Sequence, residues 1–399
     1  MGTESSSGSS IRVMRDTQVV IDGGRIIAVE PSTGQAEFDL LTPGLINAHT
    51  HLELSALARD PTPPASFVDW ITSLRNRQPA SDVNFSARIR AATHLGIDQC
   101  AKFGVTCVGD ISQQSHLTRP ILAVPHDVAG PLRAVSFAEV LGRGGLIERF
   151  HETLARAREP VSASPFLIAG LSPHAPFTVD ETGYEACVAL ADELGQRLCT
   201  HLAETREEVE FVMSHTGEFR HMWERMGLWQ DNPVPGVSPV EFAKRVGLLS
   251  RGALLAHVNI ASDHDLHLLA QGTSSVVFCP RTRSYFGHDQ TLGPHRWRDM
   301  LARGINVCVG TDSIASAGDL DLVAELRLVK QQTDAPSLQL LELVTFRAAR
   351  ALGLSDLGRI ENGMYADLSA FAIEGDDPLD WLLTHPTACQ ASWVAGQRR

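Results

Sequence analysis

Short, apolar, β-prone runs recur eight times along the chain with helical patterns between them, and this alternation constrains the fold more than any other feature. The runs are Gly44–Ala48, Val105–Val108, Leu132–Phe137, Phe166–Leu171, Arg197–Thr200, Ala253–Ala256, Ser275–Phe278 and Ile305–Val309. Helices are expected between them, for example over Tyr184–Leu194 and Asp265–Ala270. A parallel strand is buried on both faces and needs a helical crossover to return, so this pattern is the sign of parallel βαβ units. Eight units predict an α/β fold, a (β/α)8 TIM barrel, which takes roughly 250 residues.

The chain has 399 residues, which leaves room for a small accessory unit. Gln18–Ile21 and Arg25–Val29 read as a hairpin around Asp22-Gly23-Gly24, and Ala366–Ile373 and Ala391–Ala395 read as strands at the far end. These terminal segments are expected to pair into a small β-sandwich. The organisation predicted is therefore residues 1–42 as the N-terminal part of that sandwich, 43–360 as the barrel and 361–399 as the C-terminal part. The stretches Asp60–Pro64 and Asp231–Pro239 read as loops.

A formal charge of −13 argues against nucleic acid, since phosphate binding depends on clustered Lys and Arg. A small-molecule substrate and water are the expected partners, and homo-oligomerisation stays open. The seven cysteines are scattered and form no C-x-x-C pair, so neither a disulfide framework nor a thiolate zinc site is suggested and a reducing cytoplasm is expected. Met1–Ser10 is polar and Ser/Gly-rich with no apolar core, and no run of about 18 apolar residues occurs. Neither secretion nor membrane insertion is expected.

Reactive groups in such barrels gather at the C-terminal ends of strands, where loops vary without disturbing the core. His49 and His51 are two residues apart at the end of the first run, and period-two alternation puts both imidazoles on one face. His201 closes the fifth run and Glu204 follows it. His257 ends the sixth, and Asp312 follows the eighth. Each signal is unspecific alone, but all of them fall on one rim. Imidazole nitrogens with a carboxylate suit Zn2+, with Fe2+ as the second choice, and a catalytic site would keep a position open for water.

The runs PGLINAHTHLEL (Pro43–Leu54), HLAETREE (His201–Glu208), LLAHVN (Leu254–Asn259), CPRT (Cys279–Thr282) and GTDS (Gly310–Ser313) resemble the amidohydrolase superfamily. They look most like its branch of triazine, adenosine-type and aminodeoxyfutalosine deaminases. The likeness spans roughly Asp22–Val394 and includes the late GRIENGMYADL stretch (Gly358–Leu368). It implies that His49, His51, His201 and Asp312 hold one divalent transition metal per chain, that Glu204 shuttles protons, and that His257 bonds the attacking water or the substrate. Asp312 would also act as a base. It further implies that His174, in LSPHAP, faces the substrate, although a plain hydrogen-bonded loop histidine remains open. A binuclear centre in this superfamily commonly uses a lysine at the fourth strand. The lysines here are Lys102, Lys244 and Lys330, so a single metal is expected.

The expected activity is hydrolytic deamination of an aminated heterocycle or nucleoside-like substrate by a metal-activated water. Hydrolysis of a C–Cl bond or a cyclic amide would use the same residues. A retired scaffold that only binds would have lost a ligand or Glu204, and none is lost. His51-Leu52-Glu53 resembles half of the cytidine-deaminase zinc signature, but its P-C-x-x-C partner is missing. After the seventh strand, Arg283 stands where the deaminase branch would place a histidine. Arg281 or Arg283 is therefore expected to bind an acidic group of the substrate. The competing expectation is that Arg281 pairs with a barrel carboxylate and Arg283 is solvated.

Overall fold

The computed structural model describes residues 12–62, 64–78, 81–126 and 129–399. Met1–Ser10 and Pro63 of the Asp60–Pro64 stretch lie outside them. The strands in chain order are β1 (Thr17–Asp22), β2 (Arg25–Pro31), β3 (Leu40–Pro43), β4 (Leu45–Thr50), β5 (Val105–Ser112), β6 (Arg133–Val140), β7 (Leu167–Pro173) and β8 (Arg197–Leu202). They continue with β9 (Leu254–His257), β10 (Ser275–Phe278), β11 (Asn306–Val309), β12 (Leu368–Phe371), β13 (Cys389–Val394) and β14 (Gln397–Arg398).

Strands β4 to β11 form one eight-stranded sheet in sequential order, and every neighbouring pair is parallel. The sheet meets itself where Thr50 bridges to Asp312, and the Asp312 amide donates to the His49 carbonyl at 3.0 Å. The Asn47 side chain reinforces this seam, donating to Thr311 Oγ1 at 2.8 Å and accepting from the Thr311 amide at 3.1 Å. The result is the barrel that the eightfold alternation predicts.

All residues of β4, β5 and β6 are buried, as parallel strands covered on both faces require. Helices pack outside. The one over Glu181–Leu194 starts where the Asp180 carboxylate accepts from the Gly183 amide, and stops at Gly195, whose φ of 62° suits glycine. Inside the barrel, Ile46, Val135, Leu254 and Val277 pack with Cys107, Cys199, Cys279 and Cys308. Burial pushes the thiols of Cys107, Cys199 and Cys308 up, so these cysteines behave as small apolar filling. Among the described residues, no helix is long and apolar enough to cross a membrane.

Strand β3 pairs antiparallel with β12, β12 with β13, and β13 with β14, so the chain's two ends share one four-stranded sheet. The β1–β2 hairpin packs on it through Ile26, Ala366 and Leu368. Buried Arg133 of β6 ties this unit to the barrel through Asp367, with Nε donating at 2.8 Å and Nη2 at 3.3 Å.

Two local readings change. Strands β4 to β8 each run two to four residues beyond their apolar cores, because polar residues such as His49, Thr50, Asp110 and Ser112 continue the ladder to the mouth. Pro239 opens a helix instead of ending a loop: it is the first helical residue of Pro239–Arg245, where its missing N–H costs nothing, and Ser238 caps it.

Gly310 lies at the barrel seam. A Cβ there would meet the His49 N and O atoms at 2.8 Å. Gly310→Ala is expected to destabilise the fold by about 1–3 kcal/mol, as overpacking does, and a lower urea midpoint measures it.

Candidate metal centre

Four strands deliver the polar cluster at the C-terminal mouth. His49 lies on β4 and His51 immediately follows that strand. His201 lies on β8, His257 ends β9, and Asp312 follows β11. The backbone turns sharply at three of these mouths: Ala203, His257, Val258 and Asp312 have φ of 50°, 72°, 45° and 63°. A non-glycine residue in this region costs about 1–3 kcal/mol, and such strain collects at functional sites because surrounding structure holds it in place. Here the restraint is visible at one loop. The Glu208 carboxylate accepts from the Ala203 amide at 2.7 Å and the Glu204 amide at 2.8 Å, fixing the turn that aims Glu204.

The side chains converge. His201 Nε2 is 3.3 Å from His51 Nε2, His51 Nε2 is 3.4 Å from Asp312 Oδ1, and His49 Nε2 is 3.8 Å from the same oxygen. Two ligands held about 2.0–2.1 Å from a tetrahedral ion lie roughly 3.4 Å apart, so these spacings fit a shared ion. His257 and Glu204 form the adjoining wall, with Nε2 and Oε1 3.5 Å apart. Among the described residues, His49, His201 and His257 form one group whose ligand atoms lie within 4.8 Å of one another, as do His49, His51 and Asp312.

Burial sets the charge states. It is the main cause holding the imidazoles of His49, His51 and His257 well below their usual range, with neighbouring imidazoles adding to it. His201 is brought down to about 4 by burial and then by His174. These rings are therefore neutral and each offers a lone pair. Both ring nitrogens of His49, and Nε2 of His257, are buried without a hydrogen-bond partner. An unsatisfied buried nitrogen is costly unless something binds it, and neutral nitrogens beside a carboxylate oxygen are the donors a borderline divalent ion takes. The cluster fits a metal.

The carboxyls move the other way. Burial raises Asp312 to about 6, against hydrogen bonds from the Ser313 amide and the Ser316 hydroxyl. Glu204 is raised well above its usual range by burial and then by the charges of Asp312 and Glu208, which favours its protonated form. His174 lies beside the cluster, with its ring 4.9 Å from that of His201 and Nδ1 2.7 Å from Thr178 Oγ1.

Sequence reasoning missed Glu139. It sits near the end of β6, is buried, and places Oε1 3.9 Å from His174 Nε2 with no hydrogen-bond partner of its own. The signal was present, since Glu139 lies two residues beyond Phe137 on the alternating register, but the apolar run was ended too early. Glu53 instead secures the fold, accepting from Ser112 Oγ at 2.5 Å and from the amides of Gln113 and Gln114. His215 is buried beside Phe211 and Trp229, away from this cluster's ligand groups.

Both rim arginines have internal partners. Arg281 Nη1 donates to Asp319 at 2.6 Å, its Nε faces Glu325 at 3.4 Å, and its Nη2 donates to the Ala317 carbonyl. Arg283 is buried and not solvated: it pairs with Asp289 and donates to the carbonyls of Gly293 and His288. Internal acceptors engage both guanidinium groups, which for Arg281 is the competing expectation of a carboxylate partner, while the expectation that Arg283 is solvated is corrected by its burial.

The model of the Amidohydrolase family matches residues 40–396. A 5-methylthioadenosine/S-adenosylhomocysteine deaminase from Halobacterium salinarum is 31% identical over 371 residues, covering 89% of this chain and 79% of that protein. A 5'-deoxyadenosine deaminase from Methanopyrus kandleri is 27% identical over 394 residues, covering 92% and 83%. Among solved structures, the Helicobacter pylori aminofutalosine deaminase in complex with methylthio-coformycin aligns with a TM-score of 0.81 at 25% identity, covering 98% of this chain and 97% of that one.

Arg283→Met leaves Asp289 and two carbonyls without their donor, so it is expected to destabilise the protein by about 3–5 kcal/mol. Denaturant unfolding measures this. In any folded Arg283→Met protein, KM for acidic and neutral substrates should change equally.

Proposed function

The chain belongs to the amidohydrolase family, and on that premise we propose that it is a metal-dependent hydrolytic deaminase of a nucleoside-like substrate carrying an amino group on its purine ring. The observation that carries this reading is a convergence of buried imidazoles with unsatisfied nitrogens on Asp312 and Glu204, in surroundings that disfavour charge on each. His49, His51, His201 and Asp312 would hold one divalent ion, Zn2+ before Fe2+ by donor chemistry. When bound, such an ion lowers the pKa of a water from roughly 15.7 to about 7.

The rest of the chemistry falls to the chain. Glu204 holds a proton at its carboxyl and delivers it to a ring nitrogen of the substrate, which leaves the neighbouring carbon open to attack. His257 Nε2, which has no hydrogen-bond partner, orients the attacking water and steadies the oxygen that develops charge. Asp312 takes a proton and passes it to the departing amine, so that ammonia leaves. His174 and Glu139, beside one another at the mouth, face the remainder of the substrate. The names of the relatives support an adenosine-type nucleoside as the substrate class. The seven unpaired cysteines support a cytoplasmic setting.

Ammonia release from 5'-methylthioadenosine, 5'-deoxyadenosine and adenosine, measured beside chloride release from a chlorotriazine, tests the activity. Deamination of at least one nucleoside is expected, and chloride release without ammonia would contradict it. Glu204→Gln should keep the metal and lose about 100-fold or more in kcat, because an amide preserves shape but carries no transferable proton. Elemental analysis should find close to one divalent metal per chain in the wild type and much less in His201→Ala, since a four-ligand set loses a member. Full metal content in His201→Ala would reject that ligand assignment.

A further inference from the structure

His257 is the last residue of β9, and the peptide that follows it leaves the sheet in a left-handed turn spanning His257 and Val258. The His257 carbonyl therefore sits where the strand ends. A buried carbonyl in that position needs a donor from elsewhere. It receives one from His295, in the segment between the helices His288–Thr291 and Trp297–Ala302. His295 Nε2 lies 2.9 Å from the His257 oxygen. A carbonyl can only accept, so His295 must carry its proton on Nε2.

The ring that donates is itself fixed. His295 is buried and stacks on Phe278, the last residue of β10, with ring centroids 4.1 Å apart and planes 14° apart. Its Nδ1 has no hydrogen-bond partner, so the polar contact of this ring is made from Nε2 to the turn. Stacking alone would be served by phenylalanine or tyrosine. The feature specific to histidine is the single N–H aimed at the strained peptide.

We infer that His295 is a positioning residue: its Nε2–H holds the left-handed peptide at His257 and thereby keeps the His257 ring turned toward Glu204. Released from that bond, the His257 backbone relaxes toward the extended region. Its Cα–Cβ direction then swings, and the 3.5 Å approach of Nε2 to Glu204 Oε1 is lost. The ring moves while the metal-ligand set proposed above stays in place. This rests on the deaminase reading for its kinetic consequence and on geometry alone for the conformational one.

Two variants separate donor from ring. His295→Phe keeps the stack on Phe278 and removes the N–H, whereas His295→Gln restores an N–H donor of similar reach. With 5'-methylthioadenosine as the probe, His295→Phe is expected to lower kcat by about tenfold, the size of one hydrogen bond's contribution, while KM stays within about twofold and metal content is unchanged. His295→Gln should recover most of that loss. In histidine-labelled protein, the His257 ring resonance, assigned by its absence in His257→Asn, should shift in His295→Phe and return toward its original position in His295→Gln. Wild-type kcat in His295→Phe, equal losses in both variants, or an unmoved His257 resonance would each overturn the inference. If the wild type releases no ammonia from any nucleoside, the deaminase reading fails by itself and the resonance decides the role of His295.

Discussion

Everything at the mouth of this protein depends on the seam between the first and last strands of the barrel. The seam is short. Strand β11 does not pair along β4 as the other neighbours pair; contact is made by the Asp312 amide on the His49 carbonyl, the Thr50–Asp312 bridge and the reciprocal bonds of Asn47 with Thr311. The residues that make it are the metal-binding candidates themselves or their immediate neighbours. A carboxylate on one strand can reach imidazoles on the other only if the two backbones come this close, and Gly310 permits the approach because it has no Cβ to intrude. Barrel closure and donor convergence are therefore one event.

The second dependence is electrostatic. A closed barrel places its mouth cluster where water is scarce, and there charge is expensive. Imidazoles respond by losing their protons and carboxyls by keeping theirs, which is why His49 and Glu204 shift in opposite directions. The surroundings then grade the two acids. Asp312 accepts from Ser313 and Ser316, which favours its ionised form, whereas Glu204 faces other carboxyls. The same burial thus leaves two carboxyls with different hold on a proton, without any difference in side-chain chemistry beyond one methylene.

How much of this the sequence disclosed follows from what each signal is made of. Barrel strands were legible because burial on both faces writes a continuous apolar run, and the rim residues were legible because a polar group directly after such a run stands out. Glu139 was lost for the complementary reason: the strand carrying it continues past its apolar core, so the run stops before the residue that matters. The β3 and β14 strands were equally faint: both are short, and β3 pairs with β12, distant in the chain. Arg281 and Arg283 show a different limit. Their position at the rim was correctly read, but what a guanidinium binds depends on acceptors such as Asp319, Asp289 and Gly293, brought near only by folding. His295 left no mark at all, since its role is a bond to a backbone carbonyl whose direction is set by a turn.

The two-ended construction of the small sheet has a consequence for how the molecule comes into being. Thr42 donates to the carbonyl of Ser369, 327 residues later, and the seam partners Asn47 and Thr311 are 264 residues apart. A ribosome makes the chain from its first residue, so His49 and His51 leave the exit tunnel long before Asp312 is synthesised. Through most of translation the chain is an unsealed sheet, and strand β3 has no partner to cover its edge. The donor cluster cannot converge before Asp312 is made, after the last barrel strand, so its assembly is a late event in synthesis. A product stalled before Thr311 and Asp312 would carry the histidines without the carboxylate or the seam beside them.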